Sequence, residues 1–280
     1  MIKRNQVLDR NNQKPIVYDT FNKTPNTKKP LVIFCHGYKG FKDWGAWNRV
    51  AEQFMTANLF FVKFNFSHNG GTTENPIDFP DLNAFAENNY TKELDDLEAI
   101  LSYFTQTDTP YSKEIDLNNI TVIGHSRGGG IAILKAAENT KITKLITWAS
   151  VSDFSTRSST IGNLEQWKKD GVKYVLNGRT HQNMPHNIQF YNDFLDNKER
   201  LNIETAEKAL SIPHLIIHAE NDPSVAFKEA RQLHKWNTNS ELVPLHNSDH
   251  VFGAKHPWEQ QALPEAFQTV VSKSIAFIKS

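Results

Sequence analysis

The sequence predicts an α/β fold, an open and mostly parallel sheet with helices on both faces. Two patterns lead there. Short apolar runs of strand length alternate with helical stretches along most of the chain, as right-handed βαβ units require. One strand–turn–helix junction also carries a glycine-rich turn of the kind that presents a nucleophile. Composition sets the frame: 280 residues, 39% apolar and 22% charged, suit one large domain or a core domain with an insertion. Such a chain can bury about three quarters of its unfolded surface without a disulfide or metal staple.

The first 21 residues read as a hairpin turning at Asn11-Asn12, with Pro15-Ile16-Val17-Tyr18 beginning the return strand. After a polar linker, Asn22 to Lys29, the buried-strand candidates are Leu31–Cys35, Leu59–Phe66, Ile120–Gly124, Lys144–Ala149, His214–Ala219 and Glu241–Leu245. Pro244 places the last at an edge or a bulge. The clearest helix is Thr91–Phe104, with Leu94, Leu97, Ile100, Leu101 and Phe104 on one face. Trp44–Ala57, Arg127–Glu138, Ser224–Trp236 and Pro264–Ile278 are the others. Two stretches break the rhythm. Asn69–Asn89, with Pro76 and Pro80, reads as a long loop. Residues 150–211 are too long for one crossover helix and read as an inserted helical cap carrying Trp167, Tyr174, Phe190, Tyr191 and Phe194. Within a single domain spanning 1–280, these aromatic residues would close over substrate and set its choice.

Charge and cysteine content narrow the function classes. Lys+Arg and Asp+Glu both number 31, so no net charge recruits nucleic acid or an anionic membrane. The single cysteine, Cys35, ends an apolar run and reads as a small buried hydrophobe. Lys3 and Arg4 are followed by no apolar segment, and no stretch is long enough to span a bilayer. A cytoplasmic protein is the expectation. No interface pattern indicates an oligomeric state.

Chemistry concentrates at Gly124-His125-Ser126-Arg127-Gly128, a G-x-S-x-G pattern. The pentapeptide alone arises by chance about once in ten chains of this length. Its context is more specific: Thr121-Val122-Ile123 is a strand directly before it, and Gly129-Gly130-Ile131-Ala132 opens a helix directly behind. A serine hydroxyl needs a base to take its proton, and the base needs an acid to fix its tautomer. Candidates follow in the order serine, acid, histidine. Asp222 stands just past one strand and His250 in the loop past the next. Asp153 is a rival acid, and Asp249 reads as a loop-stabilising residue. Two backbone N–H groups are needed for the oxyanion, from Arg127 and from Tyr38 in His36-Gly37-Tyr38-Lys39-Gly40. His36 and Gly37 order that loop.

These segments, in this order from about residue 30 to the C-terminus, resemble the α/β-hydrolase superfamily. His36-Gly37-Tyr38-Lys39-Gly40 and Phe64-Asn65-Phe66 look like its dienelactone-hydrolase-like and cinnamoyl-esterase-like branches. The resemblance implies a central eight-stranded sheet with its second strand antiparallel, and serine esterase activity on small or aromatic acyl esters without a cofactor. Ala219 stands where the family often has glycine. A thioesterase or peptidase would use the same triad, and a ligand-binding protein could keep the fold without catalysis. A metal site is disfavoured, since the pairs His214/His218 and His246/His250 lack the His-Glu-x-x-His helix pattern. No nucleotide-binding fingerprint is present, and a halide or epoxide hydrolase would carry Asp in place of Ser126.

Overall fold

The computed structural model describes residues 1–159 and 163–280. Strands β1 (Ile2–Leu8) and β2 (Ile16–Phe21) form the N-terminal antiparallel hairpin, and Asn11 and Asn12 turn it at positive φ. In chain order follow β3 (Lys29–Cys35), α1 (Trp47–Thr56), β4 (Phe60–Phe64), α2 (Leu82–Ala86), α3 (Tyr90–Thr105), β5 (Ile115–His125), α4 (Arg127–Glu138) and β6 (Lys144–Trp148). Next come α5 (Ser155–Ser159), α6 (Leu164–Asp170), β7 (Val172–Leu176), β8 (Asn183–Asn187), α7 (Gln189–Asp196) and α8 (Ile203–Ala209). The chain closes with β9 (His214–Ala219), α9 (Lys228–Trp236), β10 (Glu241–Leu245) and α10 (Glu265–Lys279).

Eight strands form one sheet in the order β1-β2-β4-β3-β5-β6-β9-β10, with β2 antiparallel to both neighbours and every pairing from β4 to β10 parallel. Alternate residues of each central strand enter opposite cores. On β3, Leu31, Ile33 and Cys35 belong to the core shared with α3, α4, α8 and α9, while Val32 and Phe34 belong to the core shared with α1 and α10. The predicted face of α3 is fully buried, and each such side chain contributes about 1.5–3 kcal/mol by leaving water. Asn89 caps that helix by accepting the Lys92 N–H at 2.8 Å. β10 is the edge strand, where Pro244 withholds no hydrogen bond that an inner strand would need. Among the described residues, no helix is long and apolar enough to cross a membrane.

Two stretches differ from expectation. The loop over 69–89 contains α2 and packs Phe79 and Phe85 against Met184, far along the chain. Its apolar residues are spaced by polar ones, so only the distant partner reveals the small core. The insertion over 150–211 is mixed rather than helical, because β7 and β8 pair as an antiparallel hairpin. The β-prone run Val172-Lys173-Tyr174-Val175-Leu176 ahead of Asn177-Gly178 was the available signal. Residues 160–162 of that insertion lie outside the described residues. Its last helix, α8, joins the main helical layer: a methyl group added to Gly130 on α4 would come within 2.9 Å of the Ile203 side chain.

Candidate active site

Strand β5 ends at His125 and α4 begins at Arg127, so the whole reversal falls on Ser126. Its backbone takes φ +57° and ψ −122°, a left-handed conformation that costs about 1–3 kcal/mol and persists because its surroundings hold it. The Ser126 N–H donates to the Trp148 carbonyl at 3.0 Å, tying the turn to β6. The crossing is tight enough to demand glycine on both sides. A Cβ at Gly124 would lie 2.2 Å from the Gly128 carbonyl oxygen, and one at Gly128 would lie 2.4 Å from that of His36. At the helix start the N–H groups have no intrahelical acceptor and offer positive potential to an anion.

Beyond the ends of β9 and β10, Asp222 and His250 meet. His250 Nδ1–H donates to Asp222 Oδ2 at 2.7 Å, which leaves Nε2 as the basic nitrogen. Asp222 Oδ1 accepts the N–H groups of Ser224 and Val225 at 2.8 and 2.9 Å. His218 Nε2 donates to the Val225 carbonyl at 2.8 Å and lies 3.3 Å from Asp222 Oδ2. Burial alone would raise the Asp222 carboxyl. The close His218 ring and the hydrogen bonds from His250 and the Val225 N–H outweigh it and hold Asp222 below the usual carboxylate range. Asp153 is committed elsewhere, accepting the N–H groups of Ser155 and Thr156, each at 2.9 Å, at the start of α5. Asp249 accepts the Val251 and Gly253 N–H groups at 3.0 and 2.8 Å, a loop-fixing role as expected.

The loop after β3 closes the site. A Cβ at Gly37 would lie 2.8 Å from Ser126 Cβ, so this backbone runs directly against the serine. His36 is buried at the head of this loop. Its Nε2 accepts the Phe66 N–H at 3.2 Å, which fixes the tautomer so that Nδ1–H donates to the Gly37 carbonyl at 2.9 Å. Burial pushes its pKa down to about 4, which keeps the ring neutral. His36, Gly37, Tyr38, Lys39, Gly40, Trp44, Trp47, His125, Ser126, His250 and Val251 line one cavity of about 160 Å³.

Several of these were not singled out from sequence. His125 Nε2–H donates to the His250 carbonyl at 2.9 Å and so anchors the histidine loop to the serine turn. Burial pushes its pKa down to about 3. Trp44 and Trp47 enter from the start of α1, where two tryptophans three apart were the only signal. His218, outside the lining, is read from sequence only as a metal-ligand pair with His214, not as a neighbour of Asp222. The Arg127 side chain turns away from the cavity lining to lie over the Tyr38 ring at 4.3 Å, with Glu93 Oε1 3.4 Å from Nη1. No described residue of 150–211 lines the cavity, contrary to the expectation for the cap aromatics. Trp167 and Phe190 are instead core residues, each 2% exposed. The other paired histidines are also engaged apart from any metal set: His214 bonds Glu207 at 2.8 Å and His246 contacts Glu220 at 2.5 Å. Among the described residues, no three His, Cys, Asp or Glu side chains converge as a metal site requires.

The BD-FAE family profile matches residues 19–237. A Mycoplasma genitalium protein named as an esterase/lipase is 25% identical over 123 residues, 44% of this chain and 38% of that protein. The quorum-quenching protein AidA of Acinetobacter baumannii is 22% identical over 165 residues, 59% of this chain and 49% of that protein. The matches thus span less than half of each of these relatives. Among solved structures, Est1E from Butyrivibrio proteoclasticus with ferulic acid bound superposes with a TM-score of 0.72 at 17% identity, covering 98% of both chains. The dienelactone hydrolase of Anabaena variabilis gives 0.63 at 14% identity, covering 100% of this chain and 97% of that one. The chain therefore belongs to the BD-FAE family and shares the fold of these solved hydrolases.

Proposed function

We propose that this BD-FAE family member hydrolyses carboxylic esters of short or single-ring acyl groups through Ser126, His250 and Asp222. The observation that carries the reading is the 2.7 Å bond from His250 Nδ1 to Asp222, whose ring shares a cavity with the strained Ser126 turn. Asp222 keeps Nε2 basic and stabilises the imidazolium that forms. His250 takes the Ser126 proton as Oγ attacks the ester carbonyl. The oxyanion is held by the N–H groups of Arg127 and Tyr38, at the helix start and on the loop against Ser126. His250 then protonates the departing alcohol, and water repeats the sequence on the acyl-enzyme. The chemistry calls for no cofactor.

Substrate size follows from volume. A cavity of about 160 Å³ is close to the ~150 Å³ that admits benzene in an apolar core, room for one ring or a short chain. Trp44 and Trp47 give it flat apolar walls. Ferulic acid, the ligand of the Est1E structure, is a single-ring acid and fits the same class.

The test is covalent labelling. A fluorophosphonate should phosphonylate Ser126 Oγ with loss of fluoride, mapped by mass spectrometry to the peptide that carries it. Ser126→Ala should abolish both labelling and turnover of p-nitrophenyl acetate with the fold intact. Labelling at another residue, or more than a few per cent of wild-type kcat in Ser126→Ala, overturns the reading. A panel of ester, thioester and peptide donors then separates an esterase from a thioesterase or peptidase.

A further inference from the structure

None of the described residues of 150–211 lines the cavity, yet one of their side chains reaches the loop that closes it. Tyr38 Oη lies 2.8 Å from His186 Nε2, on strand β8. The direction of the bond is fixed. His186 Nδ1 lies 3.1 Å from the Met184 carbonyl oxygen and can only donate to it, so Nε2 is bare and the Tyr38 hydroxyl donates. His186 is itself held from behind, because the Trp167 indole N–H donates to its carbonyl at 2.8 Å. Its ring packs edge-on against Phe85, and both residues are buried. Burial pushes the His186 pKa down to about 3 and raises that of Tyr38 to about 12, so both partners stay neutral at every ordinary pH.

The backbone around Tyr38 is held at its two ends, where the Gly37 carbonyl accepts from His36 Nδ1–H at 2.9 Å and the Gly40 carbonyl from Asn69 at 3.2 Å. Gly37 and Gly40 flank the segment, Lys39 adopts φ +53°, and the one turn hydrogen bond joins the Gly40 N–H to the Gly37 carbonyl at 3.1 Å. That bond leaves the Tyr38 N–H outside the turn. The Tyr38 ring, by contrast, is gripped: the Arg127 guanidinium covers it at 4.3 Å, and His186 fixes its hydroxyl. At Tyr38 itself, between those two ends, the contacts that hold the residue are those of its side chain.

We propose that His186 is a positioning residue, which acts through the Tyr38 hydroxyl to hold the Tyr38 N–H on the oxyanion, so that the insertion tunes transition-state stabilisation without touching the acyl pocket. This rests on the reading of Tyr38 as an oxyanion donor given above. A small displacement of such a donor weakens binding of the transition state more than that of the ground-state ester.

The experiment is a double-mutant cycle of Tyr38→Phe and His186→Phe, with His186→Gln as the variant that can still accept the hydroxyl proton. Each Phe variant should lower kcat about 10- to 100-fold while KM stays within about twofold. The double variant should be no slower than the slower single one, and His186→Gln should recover most of the rate. Affinity for a trifluoromethyl ketone, whose adduct on Ser126 carries an oxyanion, should fall by the same factor as kcat/KM. The pH profile should keep its shape, because His250 and Asp222 are untouched. Tyr38→Phe deletes one oxygen, so it decides the matter alone if His186→Phe fails to fold. Unchanged kcat in Tyr38→Phe, losses that multiply in the double variant, or unchanged ketone affinity each overturn the proposal. Turnover surviving in Ser126→Ala would instead overturn the triad reading beneath it.

Discussion

Two regions flank Ser126, and they are built on different terms. The loops leaving β3, β5 and β10 spring from hydrogen-bonded parallel strands and carry side chains into one small cavity, and the loop leaving β9 brings Asp222 to His250. The stretch 150–211 also carries aromatic residues, but it sends Trp167 and Phe190 into the core and leaves Tyr174 63% exposed. The difference teaches that aromatic content in an insertion does not make a substrate wall. An apolar side chain goes where it can leave water, and here α3, α4 and Phe154 offered a better place than the site. The strand-end loops were under the opposite constraint, since their backbones were already fixed and their side chains had to converge.

The sharpest way to break this contrast is to exchange the acids on its two sides. Asp222→Asn should lower kcat by on the order of 10³–10⁴-fold, because His250 would lose the partner that fixes its tautomer. Asp153→Asn, at the insertion's first helix, should stay within about threefold. Steady-state kinetics on p-nitrophenyl acetate checks both, and the reverse ranking would move the acid into the insertion. A smaller effect separates the walls. Trp44→Ala should reduce kcat/KM for a single-ring aromatic acyl ester about 10-fold relative to an acetyl ester, while Tyr174→Ala should change neither. A substrate preference that follows Tyr174 would return the specificity role to the insertion.

The smallest effect is on stability. His36 has a folded pKa of about 4 against an unfolded value of about 6.5. The unfolded chain therefore takes up the proton first. Stability present above pH 6.5 is lost as pH falls towards 4, by roughly 2–3 kcal/mol between pH 7 and 4.5. Urea midpoints of wild type and His36→Gln at the two pH values measure it. The variant should show the shallower dependence, and equal slopes would mean that His36 is not held neutral.

Much of the site was legible because its geometry is local. Gly124 to Gly128 encode a turn that must be tight within five residues, and Asp222, Asp249 and His250 each stand directly past a strand. The α3 face and the N-terminal hairpin were legible for the same reason, since periods of 3.6 and 2 are properties of neighbouring residues. His186 was not. It sits on a short hairpin strand, and its importance comes from a partner 148 positions away. The packing of 69–89 was hidden likewise, because Phe79 and Phe85 have no core until Met184 arrives.

The sequence by itself determined the strand–helix order of the main sheet, the serine turn, and the candidate acids and histidine that follow it, all written in short-range spacing. Tertiary structure alone decided which acid meets His250, which walls bound the cavity, and where the insertion's aromatic residues went. Those outcomes depend on which surfaces can exclude water together. That competition is settled between residues far apart in the chain, where no local pattern records it.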